Sequence, residues 1–216
     1  MFNFNSQIKI QDCKNIEIFA ETRFIKNEPM LFSCDLKTAY ELGGPLTHKF
    51  LENLNFNNND VIIDSRVHML MPGWFPAIPG FHHDDVPRNR KDGQPDYYNP
   101  DYLAKHAMCI VSDNDVCPTE FAIGKANLPD VELGQKFYKV WHPIIIQQIK
   151  DGTLKSVDAP FNKILYFDWQ TLHQGVAAKK NGWRWFIRAT TNTKRKPVNE
   201  LRRQTQVYLE NPMEGW

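Results

Sequence analysis

No run of 18 apolar residues occurs in the 216-residue chain, so no segment reads as a membrane-spanning helix. Cysteine is scarce: four (Cys13, Cys34, Cys109, Cys117) in a chain this long do not make a disulfide framework, and the lack of any CxxC argues against a thiolate zinc site. The opening MFNFNSQIKIQD has no basic stretch leading into an apolar one, so the expectation is a reduced, intracellular protein of the cytoplasm. There is no G-x-G-x-x-G, no alternation of strand and helix, and no internal repeat; a dinucleotide-binding α/β fold and a repeat array are both disfavoured. Net charge is also lacking. Lys+Arg 26 against Asp+Glu 25 excludes a uniform cationic coat for nucleic acid.

Core material is plentiful, with 6 Trp, 7 Tyr and 14 Phe. A chain this long buries roughly 70% of its unfolded surface without help from metal or disulfides. The length fits a single domain over 1–216, with N-terminal strands and helices (1–60) flanking a core at 61–210. The near-zero charge conceals an imbalance, because residues 174–203 carry nine basic residues and one acid. Short strand-like runs appear at 61–70, 106–112, 119–124, 162–169, 173–178, 183–191 and 205–209. Two helical pieces are expected in 35–54, broken at Gly43-Gly44-Pro45, and another in 133–152 with Pro143 as a kink or break. The Asn-rich 53–60 and the polar 90–101 read as loops. Many short strands with few helices predict a mainly β sandwich or barrel.

The strongest chemical signal is His82-His83-Asp84-Asp85. In extended chain, residues i and i+2 share a face, so His82/Asp84 or His83/Asp85 offers one imidazole and one carboxylate to a divalent metal. A mononuclear Fe(II) site adds a second histidine and leaves positions open. His82/Asp84 is the preferred pair, since Phe81 and His83 on the other face suit packing. His173 has the best context for the distant histidine. Asn181-Gly182 suggests a hairpin centred between Lys180 and Asn181, which would pair His173 with Arg188 and put Arg184, Phe186 and Arg188 on its face. Trp183, Trp185 and Ile187 would then pack in the core. An arginine in an apolar strand calls for an anion. The spacing from His173 to Arg184, about 13 Å at roughly 3.3 Å per residue, suits a short dicarboxylate held by metal at one end and guanidinium at the other.

With HxD (His82-His83-Asp84), a distant His173 in LHQG and arginines in WRWFIRAT, roughly residues 70–192 resemble the Fe(II)/2-oxoglutarate-dependent dioxygenase superfamily, in particular its taurine-dioxygenase-like and phytanoyl-CoA-hydroxylase-like members. The resemblance implies a double-stranded β-helix (jelly-roll, cupin-like) core with flanking helices. It implies Fe(II) held by His82, Asp84 and His173, with 2-oxoglutarate chelating the iron. It places Arg184 on the distal carboxylate and Arg188 on the near carboxylate or an anionic substrate, an exchange of those two roles remaining open. The implied reaction consumes O2 and 2-oxoglutarate, releases succinate and CO2, and hydroxylates a substrate. The ligand carboxylate favours hydroxylation over halogenation.

Other readings compete. A jelly-roll module could grasp an anionic ligand through Arg184 and Arg188 without catalysis. An HD-type hydrolase rests on His83-Asp84 alone and conflicts with the Pro/Gly-rich 71–88. His48, His68, His106 and His142 read as ordinary surface or core histidines, Thr119 as a strand former, and Trp74, Phe75 and Phe81 as core. Lys194-Arg195-Lys196, Arg202 and Arg203 read as a solvated face. A small-molecule substrate is expected, with protein or nucleic acid left open.

Overall fold

The computed structural model describes residues 1–56, 60–98 and 103–209. Positions 57–59 of the Asn-rich stretch and 99–101 of the polar loop therefore lie outside the described residues. In chain order the elements are β1 (Phe2–Ser6), β2 (Lys9–Asp12), α1 (Thr22–Ile25), β3 (Leu31–Phe32), α2 (Leu36–Leu42), α3 (Pro45–Asn53), β4 (Val61–Leu70), β5 (Lys105–Ser112) and β6 (Thr119–Leu128). There follow α4 (Phe137–Lys150), β7 (Leu154–Asp158), β8 (Lys163–Asp168), β9 (Leu172–Gly175), β10 (Gly182–Thr191) and β11 (Glu200–Leu201). The protein is mainly β, with antiparallel sheets and few helices. No helix among the described residues is long and apolar enough to cross a membrane.

Two sheets face each other. One runs β2-β8-β5-β10-β4; the other is built on β6, with β7 along one edge and β9 and β1 sharing the opposite edge. From β4 onward the chain alternates between them: β5 in the first, β6 and β7 in the second, β8 in the first, β9 in the second, β10 in the first. The long β10 explains how both sides of the first sheet are used. Its odd-numbered residues Trp185, Ile187 and Ala189 join an outer core with Ile16, Leu46 and Phe50 from the N-terminal segments. Its even-numbered residues face inward, Phe186 packing near Met108, Phe121 and Phe167. A third cluster beneath α4 gathers Phe4, Phe81, Phe137 and Trp141.

Most of the expected elements are present, including the helix break at Gly43-Gly44-Pro45. α3 has a glycine N-cap and so no capping side chain. The buried Glu28 replaces one from a distance, accepting from the backbone N–H groups of Gly44, Leu46 and Thr47 at 2.8–3.1 Å. α4 passes through Pro143 unbroken, because its apolar face (Phe137, Trp141, Ile145) is held in the core. Residues 205–209 are not a strand and contribute one bridge, Tyr208 to Phe75. β7 gives little sequence signal, being an edge strand with mostly exposed residues.

The hairpin expected at Asn181-Gly182 does not exist. β9 pairs with β6 and β10 pairs with β4 and β5, in opposite sheets. The backbone of the intervening segment is spent elsewhere: Ala178 N–H donates to Trp74 O, Ala178 O accepts from Gly73 N–H, and Lys179 N–H donates to Val116 O. Residues 176–181 are thus a crossover between sheets. His173 faces Phe121 in register, and Arg188 faces Met108 and Asp64.

Arg195 and Arg202 are not simply solvated, since both reach the buried Asp64 carboxylate, at 2.7 and 2.8 Å. Burial opposes ionisation of Asp64, but Arg188 and Arg195 outweigh it and hold its pKa below the usual carboxylate value. A depressed folded-state pKa adds stability above the unfolded value that is lost as pH falls through the folded value. Asp64→Asn should therefore cost about 3 kcal/mol in urea unfolding at pH 7, with the gap to wild type closing as pH drops below about 4. A pH-independent gap would contradict this account.

Candidate metal centre

Three expected ligands converge between the sheets. His82 and His173 are tied by a reciprocal pair of backbone bonds, His82 N–H to His173 O at 3.0 Å and His173 N–H to His82 O at 3.1 Å. That pair extends the β6-based sheet by one strand beyond β9 and sets the two imidazoles side by side, ring centroids 4.6 Å apart. Asp84, two residues on from His82, points the same way. One ligand-capable atom from each of His82, Asp84 and His173 lies within 4.8 Å of the others.

Hydrogen bonding sets the tautomers. His82 Nδ1 lies 2.8 Å from Gly80 O and His173 Nδ1 lies 3.1 Å from Thr171 O. A carbonyl only accepts, so each Nδ1 carries a proton, and each Nε2 is the nitrogen turned toward Asp84. Those Nε2 atoms are 3.9 Å (His82) and 3.1 Å (His173) from the Asp84 carboxylate. Neighbouring ligand atoms around a divalent first-row ion stand about 3–3.5 Å apart when each bond is about 2.1 Å. The donor set, two imidazoles held by backbone carbonyls outside the cluster and one carboxylate, fits such an ion.

The electrostatics favour the same state. Burial, reinforced by His173, pushes His82 down to about 4, leaving it neutral at pH 7. Burial alone would keep Asp84 protonated; Arg188 and His173 overcome it and hold the carboxyl well below its ordinary value. Arg188 contacts Asp84 directly and is in turn held above its ordinary value, the carboxylates Asp84 and Asp64 outweighing burial.

His83 takes no part in this cluster. Its Nε2 is 3.1 Å from Gln170 O, an acceptor, so that nitrogen bears the proton and Nδ1 accepts from Tyr97 O–H at 2.7 Å. The ring packs among Phe4, Tyr97 and Trp141, and Tyr138 O–H donates to the His83 carbonyl. Asp85 has a left-handed φ of 59°, which breaks the extended alternation that would have matched it to His83.

Sequence parity along β10 holds: Arg184, Phe186 and Arg188 line one cavity together with His82, Asp84 and His173. The arginines and His173, expected on one wall, instead stand on opposite walls. Arg184 is 3% exposed. Its Nε donates to Cys117 O at 2.8 Å and an Nη to Thr119 Oγ1 at 3.3 Å, and no carboxylate lies within ion-pair distance among the described residues. Thr119 thus has a polar partner beyond its strand role.

Two cavity residues escaped sequence reasoning, Arg66 and His68 on β4. His68 pairs across from Arg184, is 2% exposed, and neither ring nitrogen makes a side-chain hydrogen bond of good geometry. Burial and the Arg184 charge push it down to about 3, so it is neutral, unlike the ordinary satisfied histidine expected. His48 and His142 do find partners, in Tyr40 O and the Phe81 N–H. The available signal was Asp64, Arg66 and His68 at alternate positions of an apolar strand, VIIDSRVHML.

No family model and no curated protein matches the chain. Among solved structures it is similar to EvdMO1, at 14% identity over 60% of this chain with a TM-score of 0.34. It is similar also to an N-substituted L-amino acid dioxygenase from Burkholderia ambifaria AMMD, at 14% identity over 58% of this chain with a TM-score of 0.33. The chain spans only 27% of the first and 47% of the second. HygX from Streptomyces hygroscopicus, seen with iron bound, is similar at 11% identity over 86% of this chain and 82% of its own, with a TM-score of 0.39. All three likenesses are distant, with TM-scores of 0.33 to 0.39.

Proposed function

We propose that the protein is an Fe(II)- and 2-oxoglutarate-dependent dioxygenase that hydroxylates a small molecule, with O2 as the oxidant. The observation that carries this is the pairing, in one cavity, of a two-imidazole, one-carboxylate cluster with a buried guanidinium that has no acidic partner among the described residues. A cation so placed costs several kcal/mol unless an anion joins it. A dicarboxylate that chelates a metal at one end and meets Arg184 at the other answers both needs. The alternation of strands between two facing antiparallel sheets, the His82 segment beside β9 included, supports a double-stranded β-helix core at 61–210, with residues 1–60 flanking it in a single domain.

In this reading His82 Nε2, His173 Nε2 and Asp84 hold the iron. When bound, the iron supplies the redox chemistry by which O2 and 2-oxoglutarate become succinate, CO2 and one oxygen atom inserted into a substrate C–H bond. The rest falls to the chain. Gly80 O and Thr171 O keep both imidazoles in the ligating tautomer. Arg188 steadies Asp84, limiting its freedom to swing away from the metal. Arg184 and Thr119 grip the distal carboxylate, with His68 beside them, while Met108, Phe167 and Phe186 keep the chamber dry.

Anaerobic addition of Fe(II) and 2-oxoglutarate to metal-free protein should produce a weak visible charge-transfer band, and O2 should then yield succinate. Absence of both would sink the proposal; stoichiometric anion binding without either would favour a non-catalytic module instead. His82→Ala should abolish Fe(II) uptake in an equilibrium titration. His83→Ala should retain uptake and instead lose stability, since it removes a ring from an aromatic cluster. Arg184→Gln should raise the KM for 2-oxoglutarate about 10–150-fold, the value of hydrogen bonds to a charged group, while leaving Fe(II) affinity within about two-fold; equal losses of both would place Arg184 outside the cosubstrate site.

A further inference from the structure

The mouth of the cavity carries more positive charge than its own carboxylates neutralise. Four guanidiniums, those of Arg66, Arg188, Arg195 and Arg202, gather around Asp64 and Asp84, with Asp85 adding a third negative charge felt by Arg188. Arg188 is taken by Asp84, and Arg195 and Arg202 share Asp64. Arg66 is left over. It makes no hydrogen bond and no ion pair among the described residues, although its side chain is only partly exposed. Burial and its neighbours Arg202 and Arg188 lower it to about 10, so it stays cationic at neutral pH.

Its position is specific. On β4, Arg66 pairs in register with Phe186 of β10, one step along the inner face from both Arg184 and Arg188. It lines the chamber that holds the metal cluster and also a second, outer groove. That groove shares His82, Asp84 and Arg188 with the chamber and continues outward along Gln204, Gln206 and Tyr208. A molecule lying in the groove would have one end beside the metal ligands, with Arg66 within its reach.

We propose that Arg66 is the anchor for an oxyanion on the primary substrate, a carboxylate, sulfate or phosphate group, and so that the enzyme acts on small anionic molecules. This rests on the metal and 2-oxoglutarate assignment above, which commits Arg184 to the cosubstrate and leaves Arg66 to the substrate. A planar, unpaired guanidinium gives such a group a two-pronged hydrogen-bonded seat, and its partial burial strengthens the attraction over that of a surface arginine.

Inorganic sulfate serves as the probe. Thermal unfolding of the Fe(II)-loaded protein is followed under argon, in saturating 2-oxoglutarate, as sulfate replaces chloride at constant ionic strength. Wild type and Arg203→Gln, which changes an exposed arginine, should show the same saturable rise in Tm. Arg66→Gln should weaken the apparent affinity at least about five-fold, and Arg66→Lys should recover part of it. Equal sulfate affinity in Arg66→Gln and wild type would overturn the proposal, as would competition between sulfate and 2-oxoglutarate. Sulfate should also slow phenylglyoxal modification of Arg66 in wild type, mapped by peptide mass, without slowing that of Arg203; this test needs no variant to fold, and unslowed modification counts against the proposal. The visible band, read in the same samples, keeps the two failures apart. A band with sulfate binding independent of Arg66 removes only the substrate anchor, whereas no band removes the dioxygenase assignment.

Discussion

Two backbone hydrogen bonds between His82 and His173 organise the centre of this protein. They are short-range in space and very long-range in sequence, and they make one strand-like pair out of a proline-rich loop and a four-residue strand. Everything chemical depends on that pairing. It places two imidazoles in contact, brings Asp84 to the same side, and so gives Arg188 on the facing sheet a carboxylate to meet. Backbone bonds suit this task because they are indifferent to side-chain type; the histidines are free to serve the site while their main chains hold the fold.

The two facing sheets play unequal parts. The β6-based sheet and its extension supply the ligand atoms, and the five-stranded sheet supplies positive charge: Arg66 from β4, Arg184 and Arg188 from β10. Among the described residues, only Asp84 bridges them by an ion pair. Neighbouring His82 and His83 show how finely the backbone divides labour, since their rings hold opposite tautomers. One turns its lone pair toward the cavity, the other spends both nitrogens on Tyr97 and Gln170 inside an aromatic cluster.

Much of this was legible in the sequence because β-rich chains write their strands as short apolar runs. The HxD segment was legible because its polarity stands out among prolines and aromatics. His173 was selected through a hairpin that the structure replaces with a crossover. Arg184 and Arg188 nonetheless both line the cavity, because alternation along β10 is a property of that strand alone. Which wall His173 occupies needed the partner strand, and pairing is non-local information that a turn motif only suggests. Arg66 and His68 were harder. β4 is buried on both faces, so its polar residues at alternate positions do not announce themselves as a solvent side, and only the cavity explains them.

The edge of β6 shared by β1 and β9 has a consequence for how the protein is made. The Leu172 N–H donates to Ser6 Oγ, and Thr171 Oγ1 donates to Gln7 O, so the strand bearing His173 is fastened to the end of β1. During synthesis β1 emerges well before β6, its partner, and β9, its neighbour, and waits for both. The HxD pair likewise leaves the ribosome long before His173. His82, Asp84 and His173 therefore come together only late, once β9 has docked against β1 and the His82 segment.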